Sequence, residues 1–382
     1  MSPTPPNPGR RADLDWIRIT ALALLILYHV TLVYTPWDWH INSIHKFKWL
    51  EEAILITSPW RLTLLFLVSG AALRLMSRKL TAEAVLKARF ARLGPPFLFG
   101  ILVLVPPQAW LEALAKGWWS GGFWGWFARD YSPAGILDGI PINHLWFVLY
   151  IAVYSLVAVA LLFAPGAMAR IEAGLAKALS GWRLLVVPML YLAAIRILLF
   201  PWFGISNNLP GDWYNHALSL GMFLFGFLLV GHDEVWRTLE ARRWLTAPLA
   251  LVFMAVLMSL YLFRDDSLAG AWTRYTVFAI YQWMTLCAVL GFCSRHLRDA
   301  DGPVRRYLNE AIFPVYLAHQ TVLVIAAFLI TPLAWPVIAE APVLIVLTFG
   351  VSAVIYEIVR RIGPLRPLWG LRPLPRPAGA AA

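Results

Sequence analysis

An arginine and a histidine stand where few polar side chains are tolerated. Residues 14–34, LDWIRITALALLILYHVTLVY, are apolar over about the length of a bilayer core, yet hold Arg18 near their start and His29 near their middle. In a helix, this spacing sets the two within about 20° of each other around the axis and about 16 Å apart along it. Asp15 falls on the same face and can neutralise the guanidinium, so that neither charge meets lipid alone. The chemistry on offer is proton transfer. A neutral imidazole in a partly dried cavity can take a proton from a hydroxyl near neutral pH. The plainer reading is a histidine that fixes helix packing, but the cost of a polar group at that depth weighs for function.

Other residues offer supporting chemistry. Arg89 and Arg92, in KARFARLGPPF, form an R-x-x-R pair on one helical face, a spacing suited to clamping phosphates by bidentate hydrogen bonds. They equally suit topology determinants that contact lipid headgroups; together with Arg18 they would line the mouth of a common pocket. Ser69 and Gly70, in FLVSG, permit close approach of another helix or of a thin ligand such as an acyl-pantetheine arm, and helix packing is the more common use. His144 and Trp146, in NHLWFVLY, open the fourth apolar segment, where an interfacial anchor is the default. His319, in FPVYLAHQTVL with Tyr316 and Gln320 beside it, lies deeper and has the stronger claim to a polar cavity. Glu357, in VIYEIVRR, has Arg360 and Arg361 at hand for a salt bridge. No metal is expected: there is no H-x-x-x-H, H-E-x-x-H or C-x-x-C, and neither a Walker loop nor a G-x-S-x-G elbow is present.

These residues must be positioned by membrane-spanning helices. Of 382 residues, 60% are hydrophobic and only 14% charged, where a soluble protein would carry about a quarter. Ten apolar segments can be placed, near 14–35, 58–76, 90–108, 144–164, 183–200, 214–231, 246–263, 272–293, 311–331 and 341–359. The expected fold is therefore an all-α, polytopic transmembrane bundle of about ten helices with both termini cytoplasmic. Lys and Arg concentrate in alternate connections, as the positive-inside rule requires, and that accounts for the net charge of +11 without a nucleic-acid partner. Two outer connections, 37–52 and 118–147, are rich in aromatic residues that suit the headgroup level and could form a platform for sugar rings. Residues 1–13 read as an uncleaved cytoplasmic tail and 361–382 as a Pro-rich one. Cys287 and Cys293 lie on poorly matched faces of one helix, against a structural disulfide.

The ordered set R-x10-H from Arg18 to His29, F-x-x-S-G, R-x-x-R, HLWF and VYLAHQ resembles the membrane-bound acyltransferase family 3, over about residues 13–370. LDWIRITALALLILYHV, the W-x-I-N stretch and YEIVRRIGPLRPLWG look most like its glucan-biosynthesis branch, associated with succinylation of periplasmic glucans. The resemblance implies an acyltransferase domain over 14–360 in a bacterial inner membrane. It implies His29 as the catalytic histidine, assisted by Arg18 and an acidic residue, for which Asp15 and Glu357 both fit loosely. Arg18, Arg89 and Arg92 would hold a cytoplasmic acyl-CoA donor, acetyl-CoA or succinyl-CoA, whose arm passes Ser69 and Gly70. No cofactor would be bound permanently. His144, Trp146, His319 and Glu357 would face a carbohydrate acceptor, and glycan-assembly proteins are conceivable partners. Two rivals remain at this level: a proton-coupled exporter of a glycan or lipid-linked intermediate, and a non-catalytic scaffold for glycan assembly.

Overall fold

The computed structural model describes residues 11–374, so residues 1–10 and 375–382 of the two expected tails lie outside it. Among the described residues every regular element is helical, and the longer helices are α1 (Ala12–Leu32), α2 (Ser58–Ser77), α3 (Ala82–Phe99), α4 (Val105–Ala115), α5 (Trp146–Leu162), α6 (Pro165–Ala178), α7 (Arg183–Leu198), α8 (Trp213–Leu229), α9 (Asp233–Leu262), α10 (Leu268–Leu297), α11 (Pro303–Ile330) and α12 (Val337–Val359). Eight helical stretches among the described residues are long and apolar enough to cross a bilayer: α1, the stretch ending in α2, α3 joined to α4, α5, α9, α10, α11 and α12. The remaining two of the ten expected segments differ. α7 has 16 residues and is bent by 104° from α6, and α8 has 17. Hydropathy gives the apolar length of a segment but not the bend that precedes it.

The chain forms two compact units. The first comprises residues 11–24, 51–86 and 153–309. Its close helix crossings are made by glycine. A Cβ on Gly70 would lie 1.9 Å from the Phe223 carbonyl oxygen, and one on Gly226 1.9 Å from that of Leu67, so α2 and α8 touch backbone to backbone. The first turns of α1 are docked by Ala12 N–H and the Trp16 indole, which donate to the carbonyls of Arg298 (3.2 Å) and Ala300 (3.0 Å).

The second unit comprises residues 25–50, 87–152 and 310–374. Val30, Val33 and Tyr34 pack with Leu111, Leu323, Val324, Ala327 and Leu344 in one core. Between α3 and α4 the helix widens into a π turn over Gly100–Leu104. A π turn would pair the Ile101 carbonyl with residue 106, but Pro106 has no N–H. The Tyr131 hydroxyl donates to that carbonyl instead, at 2.7 Å. Burial, with the charge of Asp130 adding, pushes the Tyr131 phenol up to about 12, which keeps it a donor. Residues 361–374 of the segment expected as a tail pack on the second unit: Trp369 is buried against Phe99, and Gly370 takes φ +68° where a Cβ would collide with Phe313.

Candidate active site

Four of the five histidines of the second unit take part in two hydrogen-bonded chains, and their partners assign donor and acceptor nitrogens. His319 is buried on α11, with Nδ1 2.6 Å from the Tyr316 carbonyl oxygen one turn earlier. A carbonyl only accepts, so Nδ1 carries the hydrogen and Nε2 is the acceptor of the neutral ring. His29 Nδ1 lies 2.9 Å from that Nε2, the rings being nearly parallel at 3°. His29 therefore donates from Nδ1 and keeps Nε2 as its basic nitrogen. His144 repeats the logic: Nε2 donates to the Leu317 carbonyl at 3.2 Å, so Nδ1 is an acceptor, buried and without a donor. Its ring meets His319 edge-on at 5.3 Å, and the Tyr316 hydroxyl donates to its carbonyl.

A second chain of bonds runs through His40. Gln108 Nε2 donates to the Leu104 carbonyl (3.0 Å) and the Thr321 hydroxyl (2.7 Å), which makes Oε1 the accepting end. That oxygen takes N–H groups from Asn143 (3.0 Å) and Gln320 (3.3 Å), and Gln320 Nε2 also donates to His40 Nε2 at 2.9 Å. His40 Nε2 is thus an acceptor, and its Nδ1 donates to Glu112. Glu112 and Asp38 in turn hold Lys116, at 2.7 and 2.9 Å. Burial disfavours the Lys116 charge, yet the hydrogen bonds to Glu112 and Asp38 raise its pKa above the ordinary value. The Trp39 ring separates the two chains, 6.4 Å from His29 and 5.1 Å from His40.

The other expected residues are distributed as follows. Asp15 and Arg18 lie in the first unit, 3.6 Å apart, and Asp15 also pairs with the fully buried Arg305, itself 2.7 Å from Asp301. Asp15 thus belongs to an arginine network, and Glu112 is the carboxylate bonded to His40. Glu357 bonds Arg360 (3.1 Å) and Arg361 (2.8 Å), the salt bridge for which its neighbours were at hand. Gly70 faces the α8 backbone and leaves no room for a pantetheine arm at its own Cα; half-buried Ser69 precedes it. Arg89 is half-buried and Arg92 exposed, both on α3. Trp146, half-buried at the start of α5, packs edge-on to Tyr150 at 5.3 Å. Among the described residues no group of three or more His, Cys, Asp or Glu is placed to hold a metal ion. Both cysteines are free thiols. Sequence reasoning missed His40 and Glu112; the one signal was a histidine inside the aromatic 37–52 connection.

Comparison with known proteins identifies the family of this helical chain. Residues 11–357 match the acyltransferase family 3, described as an acyltransferase domain. The glucans biosynthesis proteins C of Escherichia coli strain K12 and of Escherichia coli O139:H28 strain E24377A are each 24% identical over 395 aligned residues, covering 98% of this chain and 97% of theirs. No solved structure matches. With the family match spanning nearly its whole length, the chain belongs to the acyltransferase family 3 and is a multi-pass membrane acyltransferase.

Proposed function

We propose that the chain moves an acyl group, acetyl or succinyl, from cytoplasmic acyl-CoA to a hydroxyl of a periplasmic carbohydrate such as a glucan, in the bacterial inner membrane. The observation that carries this is the line Tyr316 carbonyl, His319, His29, which leaves the basic nitrogen on His29 Nε2. A sugar hydroxyl donates to Nε2 and gives up its proton as its oxygen attacks the thioester carbonyl. The imidazolium that forms keeps its Nδ1–H on His319, whose own proton is held by the Tyr316 carbonyl. When the tetrahedral adduct collapses, the C–S bond breaks and the thiolate recovers the proton from His29 Nε2. His144 Nδ1, an acceptor in need of a donor, suits a second hydroxyl of the acceptor. The aromatic connections supply stacking surfaces, with Trp118 and Trp124 exposed.

Arg89 and Arg92 suit the phosphates of the donor, being cations on one face of α3. The names of the Escherichia coli relatives favour a glucan as acceptor. The test uses the full chain in proteoliposomes with labelled acyl-CoA and a glucan. Label transfer and thiol release are expected from the wild type and are lost in His29→Ala at equal protein level. Undiminished transfer by that variant removes His29 from the reaction. Glucan movement without thiol release supports an exporter instead.

A further inference from the structure

Arg196 lies in the first unit, near the end of α7, and is 6% exposed. Aromatic rings lie against the guanidinium: Cζ is 3.4 Å from the Phe278 centroid and 4.5 Å from that of Phe200. Nη1 donates to the Tyr214 hydroxyl at 2.9 Å. No carboxylate pairs with Arg196 among the described residues, and its Nε–H is buried with no acceptor. The edge without a protein acceptor is therefore the one formed by the buried Nε and by Nη2, the edge with which a guanidinium grips a phosphate or carboxylate through two parallel hydrogen bonds.

The surroundings place this edge at headgroup depth. Arg196 is two residues from the end of α7 and Tyr214 is the second residue of α8. Trp202, 82% exposed, follows Phe200 in the chain, and Trp213, 57% exposed, precedes Tyr214. Exposed tryptophans at helix ends form the belt at a membrane surface. Asp212, the acid of the same connection, accepts from the Ser206 and Asn207 N–H groups, each at 3.1 Å, and from the Asn215 amide at 2.8 Å. Arg274, a buried cation on α10, donates to the Asp265 carbonyl.

We propose that Arg196 anchors a second site, within the first unit, for the phosphate of an anionic ligand, and that its source is a phospholipid headgroup. Aromatic faces hold the guanidinium flat while leaving its paired N–H edge for the phosphate oxygens.

The test is native mass spectrometry of the full chain released from nanodiscs with equal phosphatidylglycerol and phosphatidylcholine. The wild type is expected to retain phosphatidylglycerol, and Arg196→Met to retain at least about tenfold less, the scale of one lost charge-assisted bond. Arg196→Lys, which keeps the charge and guards against a folding failure of the methionine variant, should fall between because an ammonium cannot offer two parallel N–H groups. A parallel arm adds inorganic phosphate to nanodiscs of phosphatidylcholine alone and reads thermal stability. Protection there that Arg196→Met abolishes, without selective lipid retention, overturns the lipid source and assigns the site to a soluble phosphate. Equal phosphatidylglycerol retention by the wild type and whichever variants fold overturns the site.

Discussion

A single proton on His319 decides which nitrogen of His29 is basic. The Tyr316 carbonyl holds that proton at Nδ1, so His29 must donate from its own Nδ1. His319→Ala should therefore lower kcat by about 10²-fold or more while leaving the KM for acyl-CoA little changed, since the lost contact acts on the imidazolium formed during reaction. Initial rates at varied donor concentration measure the split, and an unaltered kcat would dismiss the dyad. At this scale the sequence was uneven. His29 stood out because it interrupts an apolar run, and His319 because it lies inside another. His40 and Glu112 did not, because they sit 72 residues apart and meet only once the connection after α1 has folded back. Asp15 was read as the partner of Arg18, which it is, but its second partner Arg305 is 290 residues away and invisible to local spacing.

Helices meet here through defects in their own regularity. Gly70 and Gly226 let α2 and α8 touch, and Gly70→Ala or Gly226→Ala should destabilise the chain by about 1–3 kcal/mol or more, since each methyl would sit 1.9 Å from a carbonyl. Gly350→Ala, with open space around the new methyl, is the control. Thermal unfolding in detergent compares the three, and equal midpoints would deny the close crossing. The π turn between α3 and α4 makes a different prediction. Tyr131→Phe strands the Ile101 carbonyl at a cost of about 1–3 kcal/mol, and Pro106→Ala in the same chain should restore part of it by supplying the missing N–H. No rescue in that double variant would disprove the account of the turn. Element positions were legible from hydropathy. The wide turn and the bend of 104° before α7 were not, since proline marks a disruption without saying which geometry resolves it.

Taken whole, the chain anchors its first helix on the connection before α11, and that anchor is acid-sensitive. The hydrogen bond from Arg306 holds the Asp301 carboxyl down at about 2; partial burial opposes it and Arg305 adds to it. Because this is below the ~3.9 of an unfolded aspartate, the stability it contributes is complete above about pH 4 and is lost as pH falls through about 2. Asp301→Asn should flatten the pH dependence of unfolding between about pH 4 and 2, measured by thermal midpoints at fixed ionic strength; an identical slope would refute the assignment. The interleaving of two units from three stretches each has no signature in composition, because each stretch looks like ordinary membrane helix.

That interleaving also sets a schedule for the ribosome. His29 leaves the exit tunnel 290 residues before His319, an interval of about 15–60 s at ordinary rates of synthesis. Through that wait α1 is already made while its imidazole partner is not, so insertion machinery must shelter a polar group in the bilayer until translation is almost finished. A transcript cut short ahead of α11 should yield a chain that membrane proteases recognise, rather than a weakened enzyme.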